Sequence, residues 1–259
     1  SGAHQLIYNT SLTAIAFYGR EGGGVGEFRR PHGVAADRAG HVVVADTGND
    51  RLHVLRYADN SLTHVRFIAG TFAGRPLRGP LGVALEQATL YVCDPGADRI
   101  LVLDLEGRLQ RELCPQYDGR PYLHAPFGVA VVRADEEYNF FGSDFIVVTD
   151  SLQQRLVQLD RTGALLRTFV YASRRNVPDY FEDHGTSCPG GHQPGTAACR
   201  FRILSDHLGS PRLVVRVSDG AVAERLDHSA FGEELGRWEN PDSRLDLDGY
   251  RPLLFGFAG

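Results

Sequence analysis

The sequence predicts an all-β fold, a β-propeller built of four-stranded blades, and three observations predict it. A Pro-x-Gly-Val-Ala opening occurs at Pro31–Ala35, Pro80–Ala84 and Pro126–Ala130, at a period of roughly 46–49 residues. Each opening leads to an apolar strand that ends in aspartate or threonine-aspartate, at Asp46, Asp94 and Asp150. Five places beyond each aspartate an arginine begins another apolar run, at Arg51, Arg99 and Arg155. A fixed period of this length marks a repeat architecture, and short apolar strands separated by turn residues make a propeller the architecture that fits.

Taken in order, residues 1–27 hold two strand-like runs, Gln5–Tyr8 and Leu12–Gly19. The second aligns with Leu62–Gly70 and reads as the outer strand of an incomplete preceding blade. The run Gly22-Gly23-Gly24-Val25-Gly26 leads into another strand rather than a helix, so it reads as a link between blades and not as a phosphate cradle. In the first full copy, strands are expected near 32–37, 41–46, 51–57 and 62–69. Thr47-Gly48-Asn49-Asp50 supplies turn residues that tolerate positive φ, as Pro95-Gly96 does in the second copy. The run Val42-Val43-Val44-Ala45 is continuous and β-branched, as a strand buried on both faces requires. The third copy carries an insertion, Asp135–Asp144, before its Asp-ending strand. Insertions into repeats fall in loops on one face, often the binding face.

After Val170 the pattern stops. Residues 171–200 are rich in Gly, Pro, Arg, Asp and His and read as one long irregular loop. Asp206–Leu226 then reads as a β-hairpin, with Ser218-Asp219-Gly220 at its turn. The expected organisation is therefore blades over 1–170, a loop over 171–202, and a hairpin with a tail over 203–259. Three full blades and a partial one result. The hairpin can complete the partial blade by pairing with the strands near 5–19, or a second copy of the chain can cover the exposed edges as a dimer.

Composition narrows the classes. A formal net charge of −5 argues against a nucleic-acid surface, which needs clustered cations. No run approaches the ~20 apolar residues of a membrane-spanning helix. All 27 basic residues are arginine, so no lysine amine is at hand as a nucleophile. The chain contains no Met and ends on an apolar run, which reads as a segment of something longer. Cys93 and Cys114 read as buried free thiols. Cys188 and Cys199 bracket a short polar loop; a disulfide there would remove roughly 3 kcal/mol of chain entropy and imply an oxidising compartment.

Phe28 to Leu55 resembles an NHL repeat nearly throughout: Pro-x-Gly-Val-Ala, a strand ending Ala-Asp-x-Gly-Asn-x-Arg, then an apolar strand. The second copy has Ala97 where that pattern has Asn, and the third has Leu152-Gln153 in place of Gly-Asn. The resemblance implies four-stranded antiparallel blades around a central channel. Asp206-His207-Leu208-Gly209-Ser210-Pro211-Arg212-Leu213, then Asp219-Gly220, Phe231-Gly232 and the closing Phe255–Gly259, resemble the RHS-associated core, or YD-repeat type. That resemblance implies a large secreted or cell-surface bacterial protein, and for this chain an interaction module within it that meets a protein or small-molecule ligand on its loop face.

The candidate chemistry divides in the same way. Asp46, Asp94 and Asp150 can accept backbone N–H bonds in the following turns while their arginines pair with carboxylates between blades. In the functional alternative they ring a channel mouth as oxygen ligands for a hard cation such as calcium. His32 occupies the variable place of its opening, where the other copies have Leu81 and Phe127, and with His53 or His124 it is the candidate general base or ligand. His184, His192, His207 and His228, with Asp183, Asp206 and Asp227, are candidate zinc ligands whose spacing matches no metal motif. No Gly-x-Ser-x-Gly elbow is present. Tyr138, Phe140, Phe141, Tyr180 and Phe181 are expected in long loops as recognition anchors. Two function classes emerge. One is a binding module. The other is a metal-dependent hydrolase of esters, lactones or phosphotriesters, which should gather three or more His, Asp or Glu side chains at the channel mouth.

Overall fold

A computed structural model describes residues 4–9, 14–136, 142–171, 178–184, 199–205, 211–228 and 234–239. In chain order the strands are β1 (Leu6–Asn9), β2 (Ile15–Tyr18), β3 (Arg20–Glu21), β4 (Glu27–Phe28), β5 (Val34–Ala36), β6 (His41–Asp46), β7 (Arg51–Ala58), β8 (Ser61–Ile68), β9 (Thr71–Phe72), β10 (Arg75–Pro76), β11 (Val83–Glu86), β12 (Thr89–Asp94), β13 (Arg99–Asp104), β14 (Leu109–Leu113), β15 (Gln116–Tyr117), β16 (Arg120–Pro121), β17 (Gly128–Val132), β18 (Phe145–Asp150), β19 (Arg155–Leu159), β20 (Leu165–Val170), β21 (Tyr180–Asp183), β22 (Cys199–Ser205), β23 (Pro211–Arg216), β24 (Val222–His228) and β25 (Glu234–Glu239). The fold is all-β, with single 3₁₀ turns after Asp46, Asp94 and Asp150. None of the described segments is a helix long and apolar enough to cross a membrane. The chain forms two compact units, Ser1–Val131 with Val148–Leu152, and Val132–Val147 with Gln153–Gly259.

The first unit contains two antiparallel four-stranded sheets of propeller-blade type, β5-β6-β7-β8 and β11-β12-β13-β14, each running up and down in chain order. They are the first two sequence copies, and the expected strand limits move by one or two residues. The continuous apolar run of β6 is explained by its two faces. Val43 and Ala45 pack with Val83, Leu90 and Val92 of the second sheet. Val44 points the other way, into a cluster with Phe28, Leu55 and Leu62. A strand buried on both sides has no polar face to show in its sequence.

Glycine sets how closely the motif openings approach. The Gly33 N–H donates to the Leu81 carbonyl at 3.0 Å. A Cβ on Gly33 would lie 2.3 Å from that oxygen, and one on Gly82 would lie 2.6 Å from the Phe127 carbonyl. Neighbouring openings therefore meet backbone to backbone, which no side chain permits. Each opening is also held to its own second strand, since Ala45 N–H donates to Gly33, Cys93 N–H to Gly82, and Phe127 N–H to Thr149. The run at Gly22–Gly26 connects β3 to β4, which pair with each other.

The third copy departs from the four-strand pattern. β20 pairs with β21, and the antiparallel meander continues through β22, β23, β24 and β25. Residues 171–200 are thus not one loop, because β21 interrupts them. Four residues are too few for an alternation to stand out in the sequence. What places them is packing: Phe181, Phe201, Ile203, Val214 and Ala223 form a core of their own with Phe169 against it. The expected hairpin is β23–β24, turning through Asp219 and Gly220, whose φ of +73° suits glycine. Its strands pair with β22 and β25, while β1 and β2 form a separate two-stranded sheet.

Gly33→Ala and Gly82→Ala are each expected to cost about 1–3 kcal/mol through overpacking, read as a lower urea midpoint at unchanged slope. Gly74→Ala, with positive φ but nothing within 4 Å of the added Cβ, should cost less; losses at Gly33 and Gly82 no larger than at Gly74 would show that close approach does not set their cost.

Candidate functional site

The three repeated aspartates are fully buried. Asp46 accepts the Arg29 N–H on Oδ1 at 2.7 Å, and Arg51 Nε at 2.7 Å and Asn49 Nδ2 at 2.8 Å on Oδ2. Asp94 accepts the Arg78 N–H at 3.4 Å and Arg99 Nε at 2.8 Å. Asp150 accepts the His124 N–H at 3.1 Å. The backbone donor lies two residues before the motif proline in all three copies. The N–H groups thus come from the segment entering each repeat, and not from the following turn as the sequence suggested. In the first two copies the arginine pairs with its own repeat's aspartate. Its remaining nitrogens then bind carbonyls: Gly23, Gly24 and Glu27 for Arg51, Phe72 and Arg75 for Arg99. Arg99 also reaches Glu112 at 3.0 Å. Calcium takes six to eight oxygen ligands, whereas both oxygens of Asp46 and of Asp94 already accept hydrogen bonds. Among the described residues, no group of three His, Cys, Asp or Glu side chains is placed to hold a metal ion.

Sequence reasoning missed a second tie. Asp50 and Asp98 precede the arginines and sit at φ +51° and +52°. Asp50 Oδ1 accepts the Gly79 N–H, and Asp98 Oδ1 the Ala125 N–H, both at 2.7 Å. Each turn is thereby fastened to the entry of the next copy. The signal was present as Asp-Arg in two of the three turns.

The candidate histidines are placed differently from one another. His53 is fully buried on β7. Its Nε2 lies 2.9 Å from His64 Nδ1 on β8, and the rings of Phe67 and Phe28 stand 4.6 and 5.0 Å away. Its Nδ1 has no hydrogen-bond partner among the described residues. Burial, followed by the neighbouring His64 and Arg51, pushes its pKa down to about 4, so the ring is neutral at pH 7. An imidazole without exposed surface offers a substrate no nitrogen. His124 is exposed and joins the frame through its backbone.

His32 is exposed, and its ring meets Phe127 edge-on at a centroid distance of 4.7 Å. Phe127 is itself 41% exposed. These residues hold the variable place of the first and third openings, and the second opening, at Leu81, lies between them in sequence and against Gly33 in space. The motif glycines are consumed by the close backbone approach. The variable places at His32 and Phe127 face outward, with an aromatic ring and an imidazole side by side, while Leu81 is half-buried.

The expected loop aromatics divide. Tyr138, Phe140 and Phe141 lie outside the described residues. Tyr180 and Phe181 are on strand β21, not in a loop. Phe181 is fully buried and stacked on Phe201 at 4.8 Å, so it is a core residue. Tyr180 is half-buried beneath the Arg200 guanidinium. Asp183 and His184 are buried, with His184 Nε2 3.1 Å from Thr168 Oγ1. His192, Asp206 and His207 lie outside the described residues, and Asp227 and His228 end β24. Cys93 is buried, and burial pushes its thiol up to about 12, which makes it a poor nucleophile. Cys114 is free and half-buried. Cys199 is disulfide-bonded; Cys188, its expected partner, lies outside the described residues.

The NHL repeat family model matches residues 28–55, the first of the three copies. No curated protein matches the chain. Among solved structures, a catalytically inactive virginiamycin B lyase from Staphylococcus aureus with quinupristin is similar at 11% identity and TM-score 0.45, over 86% of this chain and 77% of that one. Kuenenia stuttgartiensis hydrazine synthase is similar at 15% identity and TM-score 0.40, over 76% of this chain. Myxococcus xanthus glutaminyl cyclase is similar at 14% identity and TM-score 0.38, over 59% of this chain. The match spans 49% of the hydrazine synthase chain and 54% of the cyclase chain, about half of each.

Arg99→Leu strands Asp94 in the interior and is expected to cost about 3–5 kcal/mol, measured by denaturant unfolding. His53 has a folded-state pKa below its ordinary 6.5, so the unfolded chain binds the proton more readily. Its contribution to stability is full above pH 6.5 and is lost as pH falls towards 4. His53→Phe should flatten unfolding free energy against pH in that window; an unchanged slope would show that His53 does not set it.

Proposed function

We propose that this chain is a binding module whose recognition surface is formed by the exposed side chains at the motif openings, led by His32 and Phe127. The carrying observation is the division of labour within each repeat. Glycine and aspartate, and in the first two copies arginine, are committed to the frame, while the variable places at His32 and Phe127 are held outward on it. Rigid scaffolds with variable exposed positions are how repeat proteins present ligand-binding faces. The pair supplies an aromatic ring and a hydrogen-bonding imidazole, which suits a partner carrying a ring or apolar group beside a polar atom. The finer part of the proposal is that the module belongs to a secreted or cell-surface bacterial protein of RHS/YD type. The resemblance over about residues 203–259 supports it, as does the Asp219-Gly220 hairpin turn. The disulfide-bonded state of Cys199 agrees with an oxidising compartment.

A displayed peptide library selected on the intact chain tests this reading. Selected ligands should bind tenfold or more weakly to Phe127→Ala and His32→Ala, with the thermal midpoint of each variant unchanged. Ligands indifferent to both changes would overturn it, as would chelator-sensitive hydrolysis of an ester or phosphotriester by the purified chain.

A further inference from the structure

We infer that the face carrying the motif openings takes an acidic segment of a partner polypeptide, held by the arginines that enter the repeats. This rests on the binding-module reading above and names the partner that the face selects. A basic side chain stands at one and the same place in all three copies. Phe28, Leu77 and Leu123 are buried, and the residue after each is Arg29, Arg78 or His124. Each of these donates its backbone N–H to the buried aspartate of its copy. The frame thus fixes the main chain three residues ahead of the variable place at His32, Leu81 and Phe127, and leaves the basic side chain exposed. Arg78 and His124 each follow a complete four-stranded sheet whose turn is fastened to the residue beside them. They are exposed all the same, so the exposure belongs to the place itself.

The turns are shaped around these side chains. A Cβ on Gly48 would lie 2.7 Å from Arg29 Cγ, and one on Gly96 would lie 3.1 Å from Arg78 Cβ. The stem of each arginine therefore lies across the turn of its own copy, over a glycine that leaves room for it. In the third copy Leu152 stands at the place of that glycine, and the entering residue is the shorter His124.

Charge selects the partner. Arg20, Arg51, Arg75, Arg99 and Arg108 all spend their guanidinium groups on carboxylates. Arg29, Arg30 and Arg78 have no side-chain hydrogen bond or ion pair among the described residues. The carboxylates of Asp50 and Asp98 on this face are bound at 2.7 Å to the N–H groups of Gly79 and Ala125. Three guanidiniums beside two carboxylates leave too small a positive excess for a phosphate backbone, which carries a charge at every nucleotide. Distributed over successive copies, they match a peptide whose carboxylates are spaced along an extended chain. Each planar fork can take such a carboxylate through two parallel hydrogen bonds. The His32 and Phe127 rings, three residues along, give the same peptide a seat for an aromatic or apolar side chain.

The test is selection of a displayed random peptide library on the intact chain, followed by fluorescence polarisation with a labelled selected peptide. Peptides enriched in Asp and Glu around an aromatic residue are expected, with affinity falling as salt rises. Combining Arg29→Gln with Arg78→Gln removes the charges and keeps the backbone N–H groups. It should weaken binding about tenfold and flatten the salt dependence. Arg38→Gln, beyond the far end of β5, should change neither. Replacing the peptide's carboxylates by amides should weaken binding to the unaltered chain by a similar factor and cost little further on the double variant. That cycle reads the charge pairing even if a variant is less stable. Selected peptides without acidic enrichment that still need His32 and Phe127 overturn this inference and leave the binding-module reading standing. Peptides indifferent to the arginines and to both rings overturn the two together. Failure to select any peptide overturns the inference, as does a labelled single-stranded RNA bound more tightly with the same arginine dependence, which would assign the face to nucleic acid.

Discussion

A carboxylate buried at the end of the second strand of each copy is the interaction on which the rest of this structure depends. Burying an aspartate is costly unless its lone pairs are used. Here a backbone N–H from the segment entering the repeat uses one oxygen, and in the first two copies the guanidinium of the arginine five places on uses the other. The planar fork of that arginine then spreads its remaining donors over backbone carbonyls of the segments that lead into the repeat. Entry segment, turn and third strand are joined at one point. The short spacing between aspartate and arginine is the distance across one tight turn.

Holding the entry segment in this way also positions the motif opening. Two residues on comes the proline, and two beyond that the glycine whose missing side chain lets one opening rest on the next. The two ties act in series, since Asp50 and Asp98 fasten each turn to the next entry. A side chain between proline and glycine then has its position set by the frame but its identity left free. His32 and Phe127 meet on those terms.

The first sheet departs from the plain logic of an apolar core. His53 occupies an interior place with one nitrogen bonded to His64 and the other without a partner among the described residues. The aromatic rings around it exclude water, and the neutral imidazole fills space much as another ring would. The same sheet supports the β1–β2 ribbon, whose Leu6, Tyr8 and Tyr18 pack on Phe28, Val44, Leu55 and Leu62.

The repeat period, the strand order of the first two sheets, the aspartate–arginine spacing and the Asp-Gly hairpin were legible in the sequence, because each rests on contacts between residues close along the chain. The structure alone decided matters that depend on distant partners. His53 and His32 are both histidines in a strand-rich repeat, yet one is sealed in and one faces out. Phe181 belongs to a core rather than a loop because Phe201 lies across from it. The aspartates take their N–H groups from residues well before them. Val34 and Val83 make the point most sharply, since the same motif surrounds both, yet Val34 is exposed and Val83 is buried. Burial is a property of what lies against a residue, and a sequence names the residue without naming its neighbour.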